Sequence, residues 1–310
     1  MYREKSRYKA PCQTPKAYDP RYLDDGEPIF ISRKLNGVHG IFLEGKLITR
    51  ERSEITGVQH IVNDCWLLSD TLGGLPSSPW VIEGELLVEK NDENEEDYIT
   101  AKRTLDILFD DLPAKPTVTF HVFDAVSLDE YYGFNSRGTR LYKARKTALI
   151  NAFTAVQEDL EATDLVDFMY EGFDHSEIER CFKLSAEKGW EGIVINRNLP
   201  YSRKTDRNVL KLKNVHTVDL PIVGFKRGTG VWRKTLGTLK VKYGDVIINV
   251  SHGFDYDTRD YIWTHQEEYQ GRIAEIKYQS INVNAKGEKR IRYPVFVCIR
   301  PLGKEVNEGD

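Results

Sequence analysis

Charge sits inside short apolar runs of this chain, and that restricts how the runs can be stacked. Trp80-Val81-Ile82-Glu83-Gly84-Glu85-Leu86-Leu87-Val88 reads as a buried strand carrying two acids. Val209-Leu210-Lys211-Leu212-Lys213 alternates apolar and cationic residues, which puts both lysines on one side of a strand. An unpaired interior charge is costly. Such strands must therefore bring their charges together or leave them on a solvated face, and each run taken alone fits either. A third run, Pro28 to Ile31, meets Lys34, then the turn-prone pair Asn36-Gly37, then Val38 to Leu43. This predicts strand, tight turn, strand, with the lysine at a strand end. One reading is an amine poised to bond a nucleotide phosphorus, with turn amides aimed at an anion. The other is an ordinary Asn-Gly hairpin with a solvated lysine.

The 310 residues suffice for two domains of ordinary size. No apolar run is long enough for a membrane-spanning helix. No apolar core follows Met1-Tyr2-Arg3-Glu4-Lys5, so no secretory signal is expected. Cys12, Cys65, Cys181 and Cys298 are widely separated and form no Cys-x-x-Cys pair. That argues against a zinc ribbon and for buried thiols in a reducing compartment, the cytoplasm by default. The net charge of −4 disfavours an indiscriminate polyanion binder. Its distribution is uneven: residues 217–310 hold 15 Lys and Arg against 12 Asp and Glu, a net +3, leaving −7 for the remainder. The C-terminal part is thus the expected nucleic-acid face.

Residues 1–28 are polar and dotted with proline, hence expected to be loop. Lys46 to Arg50 predicts a strand after a Glu-Gly turn. Helices are expected over 60–72, 98–109, 138–153 and 176–187, the last opened by Ser176 with Glu179 in a capping-box pattern. Residues 91–97 predict a solvated acidic loop, 117–126 a strand, and 192–195 a short buried strand preceded by Glu191. Composition changes near Val215–Leu220. Strands are expected beyond it at 220–225, 238–243, 246–251 and 290–299, with a short helix near 265–269. About 90 residues with about five strands suit a small closed barrel of the oligonucleotide-binding type.

The polar groups Lys34, Asn36, Arg50, Glu83, Glu85, Glu191, Lys211 and Lys213 follow one another in order through the first domain. In that order the sequence resembles the nucleotidyltransferases loaded through lysine: ATP-dependent DNA ligases, RNA ligases and mRNA capping enzymes. Lys34-Leu35-Asn36-Gly37 is similar to K-x-(D/N)-G. Ile82-Glu83-Gly84-Glu85-Leu86 is similar to D-G-E-L, and His121-Val122-Phe123-Asp124 to the aromatic–aspartate motif. Glu191-Gly192-Ile193-Val194 resembles E-G-x-V, and Lys211-Leu212-Lys213 resembles K-L-K. Val223-Gly224-Phe225 with Gly228-Thr229-Gly230, and Tyr293 to Arg300, resemble the start and final strand of the ligase oligonucleotide-binding (OB) domain. The small size resembles viral and phage minimal DNA ligases.

The resemblance implies an α+β chain. An adenylation (nucleotidyltransferase) domain with antiparallel sheets and flanking helices would span 1–216, and a C-terminal β-barrel OB-fold domain 217–310. It implies ATP as cofactor with Mg²⁺, or Mn²⁺ in its place, and nicked duplex DNA as partner of a monomer. Lys34 would attack the α-phosphorus, leaving lysyl-AMP; the AMP would pass to a 5′-phosphate, and a 3′-hydroxyl would seal the strand. An ordinary lysine has a pKa near ~10.4 and is protonated at neutral pH, so Lys34 is expected to titrate lower, helped by Arg33, Lys211, Lys213 and metal. Lys211 and Lys213 would hold the α-phosphate. Glu85 and Glu191 would carry the metal, Phe123 would stack on adenine, and Ser32, Arg33, Asn36 and Arg50 would contact the nucleotide. Arg300 and Lys304 would orient pyrophosphate, and Lys226, Arg227, Arg233 and Lys234 would meet DNA phosphates. The chain departs from the DNA-ligase pattern at three places. His39 stands where an arginine usually follows the glycine, Ser32 stands where an acid often precedes the lysine, and Arg300-Pro301-Leu302-Gly303-Lys304 replaces R-x-D-K. RNA ligase, capping guanylyltransferase, an inactive nucleic-acid-binding relative and chance matches on a plain two-domain protein are the alternatives.

Overall fold

The computed structural model describes residues 11–91, 97–133, 139–214, 216–278, 280–283 and 289–307. The chain divides into two compact units, Met1–Asn214 and Val215–Asp310. No helix among the described residues is long and apolar enough to cross a membrane.

In the first unit the elements run β1 (Thr14–Ala17), β2 (Ile29–Arg33), β3 (Val38–Leu43), β4 (Lys46–Thr49), α1 (Gln59–Thr71), β5 (Val81–Val88), α2 (Asp97–Leu108) and β6 (Val118–Val126). They continue as α3 (Leu128–Tyr132), α4 (Tyr142–Val156), β7 (Thr163–Leu165), β8 (Phe168–Gly172), α5 (Glu177–Glu187), β9 (Gly192–Arg197) and β10 (Thr205–Lys213). Two five-stranded sheets result, in the orders β1-β10-β9-β2-β8 and β4-β3-β5-β6-β7. β2 reads as an unbroken apolar run because both of its faces are covered. Ile29 and Ile31 pack with Ile178 and Cys181 of α5, while the Phe30 ring meets Tyr142 edge-on at 5.2 Å. The second sheet packs Phe42, Ile82, Leu86, Phe120 and Val122 with Ile61, Cys65 and Leu68 of α1 and Leu149 of α4.

The stretch 29–43 is not the hairpin its pattern predicts. β2 pairs with β8 and β9, whereas β3 pairs with β4 and β5. Lys34 to Gly37 is therefore a crossover between sheets. Gly37 is needed for space rather than for a left-handed turn: a Cβ there would lie 2.2 Å from the Leu86 carbonyl oxygen and 2.8 Å from Leu87 Cγ. The tight hairpin is the next one, β3–β4, where Glu44 (φ 51°) and Gly45 (φ 83°) both take positive φ.

Other expectations are adjusted. The N-terminal stretch contributes β1, a parallel edge strand whose register shifts at Pro15, where a strand tolerates proline. Ser176 does not cap α5 through its side chain; its hydroxyl donates instead to Asp174 Oδ1 at 2.7 Å. The capping box is at Ser127 and Glu130, opening α3. α4 begins at Tyr142; Gly138, expected at its start, lies outside the described residues, as do 92–96 of the acidic run.

The second unit comprises β11 (His216–Arg227), β12 (Leu236–Tyr243), β13 (Val246–Val250), α6 (Tyr256–Thr264), α7 (Gln266–Tyr269), β14 (Ile273–Tyr278), β15 (Ser280–Val283), β16 (Lys289–Arg292) and β17 (Val295–Ile299). Five strands form one sheet in the order β13-β12-β11-β14-β17, and β15 pairs with β16. Leu220, Ile222, Leu239, Val241, Ile276 and Phe296 are part of its core. The single strand expected over 290–299 is two, broken at Tyr293 (φ 53°) before Pro294. α6 was not foreseen; only the segment of α7 behind it was.

Candidate active site

Lys34 follows β2 directly, and its backbone N–H donates to the Gly192 carbonyl at 3.0 Å, which ties it to β9. Its amine donates to Glu191 Oε2 at 2.5 Å and to the Leu35 carbonyl at 3.1 Å. The other oxygen of Glu191, Oε1, is 2.6 Å from Lys213 Nζ. Glu191 is buried and fixed through its backbone: its N–H donates to Asp97 Oδ2 at 3.2 Å, and its carbonyl accepts from Asn214 N–H at 2.8 Å. Gly192 lets β9 and β10 meet here, since a Cβ would lie 2.1 Å from the Leu212 carbonyl oxygen. Lys211 is one pleat before Lys213 on β10. Burial, then the charges of Lys213, Lys34 and Arg50, hold its amine below the usual lysine value, against the pull of Glu191. Residues from four distant segments thus form one cationic cluster around a buried carboxylate. Such a cluster suits a phosphate chain beside an amine nucleophile.

Glu85 and Phe123 approach from the second sheet. Glu85 Oε1 accepts the Gly37 N–H at 2.9 Å. The Asn-Gly amide does face an anion, one supplied by the chain itself. Phe123 occupies a bulge in β6, between the Val122–Gly84 and Asp124–Glu83 pairs, and its ring stands edge-on to His39 at 5.3 Å.

The other expected residues have the following surroundings. Ser32 is buried within β2. Arg33 pairs with Asp97 at 3.4 Å and Asp167 at 3.6 Å and lies 4.7 Å over the Trp190 ring. With Asn36, Lys90 and His121, Arg33 lines a cavity of about 280 Å³ that Lys34, Glu85, Glu191, Lys211 and Lys213 do not line. Arg50 is exposed after β4. In the second unit Arg300 binds Asp219 at 2.7 Å and Glu275 at 3.0 Å, and Lys304 reaches Asp219 at 3.3 Å. Asp219 holds the Arg300 guanidinium above its usual value. Lys226, Arg227, Arg233 and Lys234 are exposed around a loop in which Gly237 abuts Gly228; a Cβ on Gly237 would lie 2.5 Å from the Gly228 Cα.

Two features escaped the sequence reading. Asp97 links Arg33, Lys90 (2.9 Å) and the Glu191 backbone; one acid at the end of an acidic run carries no distinguishing signal. His39 is hydrogen-bonded to Glu83 at 3.2 Å and to Cys12, and Glu83 also accepts the Tyr201 hydroxyl. Burial pushes the His39 imidazole down, but Cys12 and Glu83 more than offset it and raise it to about 10. His39 stands in the place where the resembled ligases usually hold arginine. Among the described residues, the one group of three potential metal donors is Cys12, His39 and Glu83; Glu85 and Glu191 join no such group.

No protein-family model matches the chain. A Haemophilus influenzae protein described as DNA ligase is 24% identical over 257 residues, covering 83% of this chain and 82% of its own length. A solved structure described as "Pmar-Lig_Pre." superposes with TM-score 0.77 at 19% identity, covering 93% of this chain and 67% of that one. A structure from work on Lig E DNA ligases gives TM-score 0.66 at 18% identity, covering 93% and 98%. The ATP-dependent DNA ligase of bacteriophage T7, in complex with ATP, gives 0.54 at 16%, covering 93% and 98%. The chain is thus similar in sequence to a protein described as DNA ligase and shares the fold of the Lig E and bacteriophage T7 DNA ligase structures.

Proposed function

We propose that this chain seals nicks in duplex DNA, taking AMP from ATP onto Lys34 and passing it to the DNA 5′-phosphate. The observation that carries this reading is the Lys34–Glu191–Lys213 bridge, with Lys211 beside it. In the first step the Lys34 lone pair forms the N–P bond and the α–β phosphoanhydride breaks, releasing pyrophosphate. Glu191, already hydrogen-bonded to the amine, is the nearest acceptor for its proton. In the second step a DNA 5′-phosphate oxygen displaces the lysine. In the third a 3′-hydroxyl displaces AMP. Phosphoryl transfer depends mainly on positioning and charge, which Lys211 and Lys213 supply at the α-phosphate. Glu85 and Glu191 offer hard oxygen donors for Mg²⁺, which would neutralise the phosphate chain. Phe123 would stack on adenine, and Arg50 would meet ribose or phosphate. Arg300 and Lys304 would exchange Asp219 and Glu275 for pyrophosphate.

We read the second unit as an OB barrel. Supporting this, Val295 at the start of β17 bridges in parallel to His252, just beyond β13, and Phe296 N–H donates to the His252 carbonyl at 2.9 Å. That contact joins the two ends of the five-strand order. The unit's exposed Lys226, Arg227, Arg233 and Lys234 would bind DNA phosphates, so affinity should fall steeply with salt.

Incubation with α-labelled ATP and Mg²⁺, followed by denaturing electrophoresis, is the test. The expected result is a labelled protein band that is absent in Lys34→Ala and not formed from GTP, and sealing of a nicked DNA duplex. No band, or a band that survives Lys34→Ala, overturns the reading. Labelling with sealing only of RNA strands would overturn the DNA assignment alone.

A further inference from the structure

We propose that Cys12, His39 and Glu83 form a binding site for one borderline-soft divalent transition-metal ion such as zinc, separate from the hard-cation chemistry of ligation. The cysteine Sγ, an imidazole nitrogen and a carboxylate oxygen lie within 4.8 Å of one another. They come from three separate parts of the chain: the segment ahead of β1, β3 and β5. Cys12 is fully buried and Glu83 is 2% exposed, so this is an interior meeting of donors rather than a chance surface grouping.

The donor chemistry selects the ion. Thiolate and imidazole suit zinc or cobalt, whereas magnesium takes oxygen ligands. Ligands of a tetrahedral centre with bonds of 2.0–2.3 Å stand about 3.4–3.7 Å apart, so a modest contraction would close the group on an ion. The carboxylate is already oriented for this. Tyr201 donates to Glu83 Oε1, and Oε2 faces His39 Nε2 at 3.2 Å, the kind of outer support that orients metal-binding carboxylates. Three protein ligands leave a fourth position for solvent. On binding, the Cys12 thiol and a protonated His39 ring would each release a proton to solvent as the sulfur–metal and nitrogen–metal bonds form.

The placement gives the ion a role. His39 lies opposite Glu85 in the β3–β5 register and beside the Phe123 ring. A bound ion would fasten the segment ahead of β1 to the strands that carry the proposed nucleotide-site residues. This inference does not depend on Lys34 chemistry.

The test is cobalt titration of the full chain after chelator treatment, followed by thiolate-to-cobalt charge-transfer absorption in the near ultraviolet. One equivalent should saturate the band. The band should be lost in Cys12→Ser and kept in Cys298→Ser, which alters the one cysteine that is not buried. Glu83→Gln should weaken binding at least about tenfold. No charge-transfer band overturns the proposal, as does one that survives Cys12→Ser or vanishes in Cys298→Ser. Should Cys12→Ser fail to fold, the Glu83→Gln titration decides, and an unchanged cobalt affinity there overturns the site.

Discussion

Replacing Arg145 with methionine would expose how the sheet bearing Glu85 and Phe123 is held against its helix. Arg145 of α4 is 2% exposed and grips Asp124 of β6 with two hydrogen bonds, Nε to Oδ1 at 3.0 Å and Nη2 to Oδ2 at 2.9 Å. Its Nη1 also donates to the Arg140 carbonyl at 2.8 Å and the Leu199 carbonyl at 3.3 Å. Methionine keeps most of the aliphatic stem, so the change removes charge and hydrogen bonds more than volume. Asp124 would remain buried, with the Ala125 N–H at 2.9 Å still donating to it. Breaking a buried pair from one side costs about 3–5 kcal/mol. With a urea dependence of about 1–3 kcal/mol per molar, the unfolding midpoint should drop by about 2 M. Adding Asp124→Asn removes the stranded charge and should recover at least about 1 kcal/mol, a coupling that a double-mutant cycle measures. Urea melts followed by near-ultraviolet circular dichroism give these values. An Arg145→Met protein within about 1 kcal/mol of wild type would refute the reasoning, and so would an Asp124→Asn change that adds to the loss.

Glu191→Ala should abolish nick sealing and Lys34 labelling while leaving stability within about 1 kcal/mol, since the cations left behind, Lys34 and Lys213, are both part-exposed and can be solvated; retained labelling would remove it from the site. Gly37→Ala should lower the labelling rate and destabilise the chain by about 1–3 kcal/mol, because the new methyl collides with the Leu86 carbonyl; wild-type behaviour would contradict the close approach. Burial pushes the Glu130 carboxyl up, but Arg140 and Ser127 more than offset it, holding it near 2 against an ordinary 4.5. The stability this carboxylate contributes is therefore present above about pH 4.5 and lost as pH falls through about 2. Acid titration of wild type against Glu130→Gln should show a shallower loss in the variant over that window, and identical slopes would exclude the effect.

The cluster of Lys34, Glu191, Lys211 and Lys213 was legible because each residue sits at or within a short strand whose alternation reveals which way it faces. What alternation could not reveal was partnership. Apolar runs on either side of Asn36-Gly37 look alike whether they pair with each other or with strands about 40 to 170 residues away, as β3 with β5 and β2 with β9 do. β1 was hidden by prolines that only an edge strand accepts. α6 was hidden because its buried face includes Arg259, whose Nη1 and Nη2 donate to the carbonyls of Leu236 and Ser251 at 2.8 and 2.7 Å. Arg33 and Asn36 line a cavity that Lys34 and Glu191 do not line, a distinction that their nearness to Lys34 in sequence does not carry.

The crossover from β2 to β3 is only four residues long, Lys34 to Gly37, with one end fastened to Gly192 and the other to Glu85. It therefore behaves as a ruler of fixed length between two stiff plates. One inserted residue would displace one plate's attachment by about 3.3 Å, several times the roughly 0.5 Å within which reacting groups must be held. Natural variation in chain length should thus be absorbed in the loops and never in this span, and any rocking of one plate against the other would register first as a change in the direction of the amine.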